Sequence, residues 1–170
     1  MSKLIITALL ASTMACVGYS ASAKDSESQA FITKAIEGNM AEVEMGKLAQ
    51  SQGQSEQVKS FGAMLVQDHT DANTKAMDAA KQLGVTPPAG PTKKQMADHD
   101  RLAKLSGAKF DEQFATFMVT DHKKDIAEYT KESKMKTQDA AVTYASQALP
   151  TLQKHLENAQ SLTTVSKKGM

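Results

Sequence analysis

Only three residues, Gln52-Gly53-Gln54, separate two long helical patterns in this chain. So short a link leaves the helices it joins no arrangement but side by side and antiparallel. The first pattern runs from about Ser26 to Gln52, with Ser26 or Ser28 as its cap and Ile32, Ala35, Ile36, Val43, Gly46 and Ala49 along one stripe. The second starts near Ser55 and carries Val58, Phe61, Leu65, His69, Ala72, Ala76, Ala80 and Leu83 on one face. Gly84 and the segment VTPPAGP end it. Gly46 and Gly62 flank the link at similar distances, either to let two backbones approach or as plain surface glycines.

Beyond the proline-rich break, Thr92 caps a shorter pattern reaching about Ser106, which Gly107 interrupts. A third long pattern covers about Ala108 to Lys134, with Phe110, Phe114, Phe117, Met118, Asp121, Asp125 and Tyr129 near one face. The fourth runs from about Gln138 to Thr163 with Pro150 inside it, where a kink or split is expected. Low aromatic content, 5% with no Trp, suits helices filled by Ala, Leu and Met. The expectation is an all-α fold, a four-helix bundle over residues 24–165 with a loose tail at 166–170. A crossover helix spanning on the order of 20 Å lets the third long helix run parallel to the second, as in ferritin-like topology.

Residues 1–23 read as a secretory signal peptide. Lys3 is the basic start, LIITALLASTMACVGYS the apolar stretch, and Ala21-Ser22-Ala23 the cleavage site. The apolar stretch is too short for a comfortable membrane span, and no later segment is long and apolar enough to be inserted. The expected location is the periplasm, free or associated with the outer membrane. Cys16, the one cysteine, falls within this leader. Lipidation there is a second reading, although TMAC lacks the usual Leu three positions earlier. Cleavage after Ala23 leaves no cysteine for disulfide or thiol chemistry. Lys3 is the leader's one charged residue, so a chain with 20 Lys and Arg against 19 Asp and Glu becomes neutral on losing it. Neither a nucleic-acid partner nor a polybasic membrane contact is expected. Oligomeric state is open.

Two elements carry the polar interest. FGAMLVQDH begins at Phe61 and FATFMVTDH at Phe114, and Phe, Val, Asp and His coincide between them. At about 100° per residue, His69 falls mid-stripe, whereas on the third long helix Asp121 and Asp125 are more central and His122 lies towards the edge. His155 flanks the stripe of the last helix, and Glu42 lies near that of the first. The inward set is therefore His69, His122, His155, Asp121, Asp125 and Glu42, an imidazole and carboxylate mixture suited to Fe, Mn, Zn or Cu in a bundle core. The same residues also suit a polar network that satisfies itself and binds nothing. His99, in the sequence DHD, is expected to face solvent. Met64 and Met118 precede the Asp-His pairs, where thioethers serve either copper(I) or plain core filling. Glu-x-x-His is missing from the whole chain, which argues against a di-iron ferroxidase. No hydrolase motif appears either.

The segments EGNMAEVEMGKLA, VKSFGAMLVQDHTDAN, SGAKFDEQFATFMVTDHKKDI and LPTLQKHLENA resemble the four blocks of a widespread bacterial exported domain. Its members are commonly labelled predicted outer-membrane proteins of unknown function. The resemblance covers about Gln29 to Leu162 and implies a ferritin-like bundle in an exported compartment. The third block is also similar to a related exported family implicated in metal or copper stress, whose helix carries a Met and a His-His pair. Lys123 stands where the second of those histidines would be. The expected function is transition-metal binding in envelope stress protection, with His69, His122 and His155 as ligands and Glu42, Asp121 or Asp125 as oxygen ligands or orienters. The alternative is a non-catalytic structural or partner-binding envelope protein whose Asp-His pairs stabilise the core. For catalysis, nothing fixes a substrate.

Overall fold

The computed structural model describes residues 23–137 and 139–168, with side chains described within 27–137 and 139–164. Residues 1–22, which hold nearly all of the expected leader, lie outside that range, as do Gly169 and Met170. The described residues form five helices and no strand: α1 (Ala23–Gln52), α2 (Glu56–Gln82), α3 (Lys93–Ala103), α4 (Gly107–Ser133) and α5 (Ala140–Lys168). No helix among them is long and apolar enough to cross a membrane.

The three-residue link does what its length demands: α1 packs chiefly on α2, and α4 on α5. Ser55 caps α2 by accepting from the Val58 amide. From α4, the Asp111 carboxylate accepts the Gln54 and Ser55 amides at 2.8 Å each, tying the turn of one helix pair to the start of the other. Gly46 and Gly62 are a close-approach pair. A Cβ on Gly46 would lie 2.6 Å from the Gly62 carbonyl oxygen, and one on Gly62 would lie 2.6 Å from the Gly46 oxygen.

Two apolar clusters fill the interior. One joins Met45 and Leu48 of α1 to Phe61 and Leu65 of α2, Phe110 and Phe114 of α4, and Leu162 of α5. The other joins Phe31 and Ile36 to Ala76 and Ala80, Tyr129 and Tyr144. The early halves of α2 and α4 share the first cluster, so these two helices run the same way. Between the clusters lies a polar layer containing Asn39, Glu42, His69, His122 and His155, all buried. At the far end, buried Ser28 donates to Glu132 at 2.9 Å.

Several local expectations change. Ser28 sits inside α1 and ties it to α4; it does not cap the helix. The crossover helix ends at Ala103, and Thr92 forms a complete capping box with Gln95. Gly107, expected as an interruption, opens α4 with a φ of 63° that suits glycine. Pro150 does not split α5. It lies on the exposed face, as does Ser146, whose carbonyl loses its helical N–H partner to the proline. His99 is half-buried and bonded to Asp100 at 3.2 Å, instead of facing solvent freely. Helix α5 continues to Lys168, into the segment expected as a tail.

Candidate metal centre

Heptad-like spacing brings three imidazoles to one level. On α2, Phe61, Leu65 and His69 succeed one another every four residues; on α4, Phe114, Met118 and His122 do the same; on α5, Leu152, His155 and Ala159 follow at three and four. His69, His122 and His155 are 5%, 1% and 0% exposed. One nitrogen from each lies within 4.8 Å of the other two, and among the described residues no other set of His, Cys, Asp or Glu converges in this way. The Phe61 ring meets His155 edge-on at 6.1 Å and closes one side of the cluster.

Each ring is held by its second nitrogen. Asn39 donates its amide to the Tyr144 hydroxyl at 2.8 Å, so its carbonyl oxygen faces His69 Nδ1 at 2.9 Å and accepts that proton. The Met118 carbonyl accepts from His122 Nδ1 at 3.1 Å. Asp68 accepts from His155 Nε2 at 2.8 Å. These oxygens fix the tautomers and leave lone pairs on His69 Nε2, His122 Nε2 and His155 Nδ1. Two of those lone pairs, on His122 and His155, face each other at 3.3 Å. The third, His69 Nε2, is buried with no hydrogen-bond partner among the described residues.

The surroundings keep the rings neutral. Burial, then the neighbouring His155 and His122, hold His69 well below its ordinary value. His122 is pushed down to about 4 by burial and then by His155, against the pull of the Met118 carbonyl. His155 is lowered by burial, with Asp68 opposing. Neutral imidazole is the metal-binding form.

The helical phase of α4 differs from the expectation. His122 is buried at the centre of the stripe, while Asp121 and Asp125 are only half-buried. The expected stripe ran through Phe117, but that ring is half-buried, packs at the margin of the first cluster and lies 6.0 Å beneath the Arg101 guanidinium of the crossover. Asp121 and Asp125 follow Phe117 round the helix and line a second region with buried Glu42 of α1. Burial and then Asp121 raise Glu42 well above the carboxylate range, and Asp125 is pushed up to about 7 by burial and Asp121 with Lys124 opposing. Of the six expected ligands, the structure thus gathers the three histidines, with the three carboxylates a step away. Asp68 and Asn39 are orienters that the sequence reading passed over. Asn39 was findable as a polar residue on the α1 stripe between Ile36 and Glu42. The target of Asp68 was not, because it lies on α5.

Fold and site together define an all-helical protein with a buried cluster of three histidines close enough together that they could hold a metal ion. The chain belongs to a family described as a domain of unknown function, DUF4142, whose model matches residues 16–162. Comparison with curated proteins and with solved structures returns no match.

Proposed function

We propose that this protein is an exported, ferritin-like four-helix bundle that holds one transition-metal ion on His69 Nε2, His122 Nε2 and His155 Nδ1. One observation carries the reading: three buried neutral imidazoles turn lone pairs towards a common point while each donates its other N–H to an oxygen. Metal-binding histidines are oriented in this way, and lone pairs facing each other at 3.3 Å repel unless something positive lies between them. Metal–nitrogen bonds of 2.0–2.1 Å put tetrahedral corners about 3.3 Å apart, which is the His122–His155 separation, and His69, within 4.8 Å of both, would close in on the ion. Three imidazoles with no carboxylate among them suit Zn or Cu, and Fe next, better than Mn. The parallel course of α2 and α4 supports the ferritin-like topology, and the leader pattern at residues 1–23 supports export to the periplasm, where metal retention would serve envelope stress protection.

Elemental analysis of native protein purified without a His-tag tests this. About one metal per chain is expected, and apo protein should gain thermal stability on adding Zn or Cu. Protein without metal that gains no stability from Fe, Mn, Zn or Cu overturns the reading. The hydrogen bonds from the three rings to Asn39, Met118 and Asp68 also suit a second reading, a polar clasp that fixes helix register and binds nothing. That clasp predicts that His122→Gln destabilises the protein equally with and without metal.

A further inference from the structure

Two cavities touch the histidine cluster, and both are lined in part by His69. The smaller, about 140 Å³, is walled by α2 and α5 and includes Asp68, Asp71, Lys75 and Tyr144. The larger, about 360 Å³, lies among α1, α3 and α4. Its acidic lining residues are Glu37, Glu42, Asp98, Asp121, Asp125 and Glu128, against three lysines. Two of those lysines are already paired with lining carboxylates, Asp125 among them. Lys94 is engaged by Asp98 at 2.8 Å, and Lys124 by Glu128 and Asp125 at 3.4 and 3.7 Å. Among the described residues Glu42 and Asp121 form no close ion pair, although the Lys124 charge acts on Asp121 from further off.

Glu42 supplies the independent observation. It is 3% exposed, and its Oε2 is buried without any hydrogen-bond partner among the described residues. A buried carboxyl oxygen left unpaired is costly, so its retention beside a cavity calls for a ligand that visits it. The carboxylates of Glu42, Asp121 and Asp125 do not converge tightly enough to grip a bare ion, unlike the histidines. Spread oxygens around a roomy cavity suit a cation that keeps part of its water shell.

We infer that the cavity among α1, α3 and α4 is a loading vestibule in which Glu42, Asp121 and Asp125 receive a hydrated divalent cation and pass it to His69. This rests on the three-histidine reading above and adds to it a direction of entry and a class of cargo. Glu37 and Glu128 belong to the acidic lining that draws the cation in, and the inner carboxyls, held partly protonated by burial and by one another, release their protons to solvent as the cation arrives and lower the cost of shedding its water before the imidazoles take over. A funnel of one charge sign raises on-rates and loses that advantage in salt.

Stopped-flow uptake of Co²⁺ by apo protein, followed by its ligand-field absorbance, is the test. Glu42→Gln and Asp125→Asn should each slow loading by about tenfold at low ionic strength. Chelator-driven release should slow in proportion, so that the endpoint affinity is unchanged. Glu128→Gln, a half-buried change of small structural consequence, should slow loading by about twofold, and Asp71→Asn in the other cavity should leave the rate at the wild-type value. Wild-type rates in Glu42→Gln and Asp125→Asn, or slowing in Asp71→Asn alone, overturn the vestibule while leaving the histidine site standing. Faster release with weaker endpoint affinity in Glu42→Gln also overturns it, by making Glu42 a ligand. A wild-type protein that takes up no Co²⁺ removes the metal site and the vestibule together.

Discussion

The Asp-His elements on α2 and α4 send their histidines to one cluster and their carboxylates to different cavities. Asp68 leaves its own neighbour His69 alone and reaches α5, where it holds the His155 proton at 2.8 Å. Asp121 leaves His122 to the Met118 carbonyl and faces Glu42 in the acidic cavity. Successive residues on a helix are about 100° apart, so a dipeptide cannot point both side chains at one target. What the repeat preserves is the phase of each histidine relative to the phenylalanine two turns before it. What each aspartate does is decided by the helix that happens to pack beside it.

This contrast can be broken most directly at the cluster itself. His155→Ala removes one proposed ligand and the contact from Asp68, and should lower Zn affinity by more than about 100-fold. With it goes a metal-dependent stabilisation that is worth about 2.7 kcal/mol when free metal is 100 times the dissociation constant. Calorimetric titration and thermal melts read both, and retained tight binding would show that His155 is not a ligand. Next comes Asp68→Ala, which should weaken Zn binding by about 10- to 100-fold because an imidazole without its orienting acceptor is a poorer ligand. An unchanged affinity would make the 2.8 Å bond to His155 incidental.

The third comparison uses pH, with apo protein kept in chelator. Folded His122 titrates at about 4 against an ordinary 6.5, so below pH 6.5 the unfolded chain takes a proton that the folded one refuses. Stability should therefore fall as pH drops from 6.5 towards 4. Asp125 has the opposite sign. Its folded value of about 7 exceeds the ordinary 3.8, so its contribution to stability is present in acid and is lost as pH rises from 3.8 through 7. Urea unfolding between pH 4 and 8 should show a flatter acid side in His122→Gln and a gain near pH 8 in Asp125→Asn. Identical pH profiles for wild type and both variants would refute the assignment. The smallest effect belongs to Asp121→Ala, whose equilibrium Zn affinity should stay within about twofold of wild type. A loss matching that of Asp68→Ala would make the two elements equivalent after all.

Much of the architecture was legible before any coordinates. The three-residue link and the stripes on α1, α2 and α5 follow from spacing alone, and the break at VTPPAGP separates the two helix pairs. The phase of α4 was harder because that helix has two apolar faces: Phe114 and Met118 point to the core, while Phe117 lies under the crossover. Averaging both faces moved the apparent centre from His122 to Asp121. All three histidines could be named as facing inward, since each sits three or four residues from a large apolar side chain. Their hydrogen-bond partners could not, because Asp68 with His155 and Asn39 with Tyr144 are contacts between helices far apart in the chain.

The cluster draws on every long helix. Asn39 comes from α1, Asp68 and His69 from α2, Met118 and His122 from α4, and His155 from α5. No single helix pair contains it, so a half-assembled chain offers at most scattered imidazoles. All three imidazoles are offered to an ion together only when the four helices have found register. A metal bound there, as proposed, should leave the folding rate alone and retard unfolding, a latch closed last and opened first.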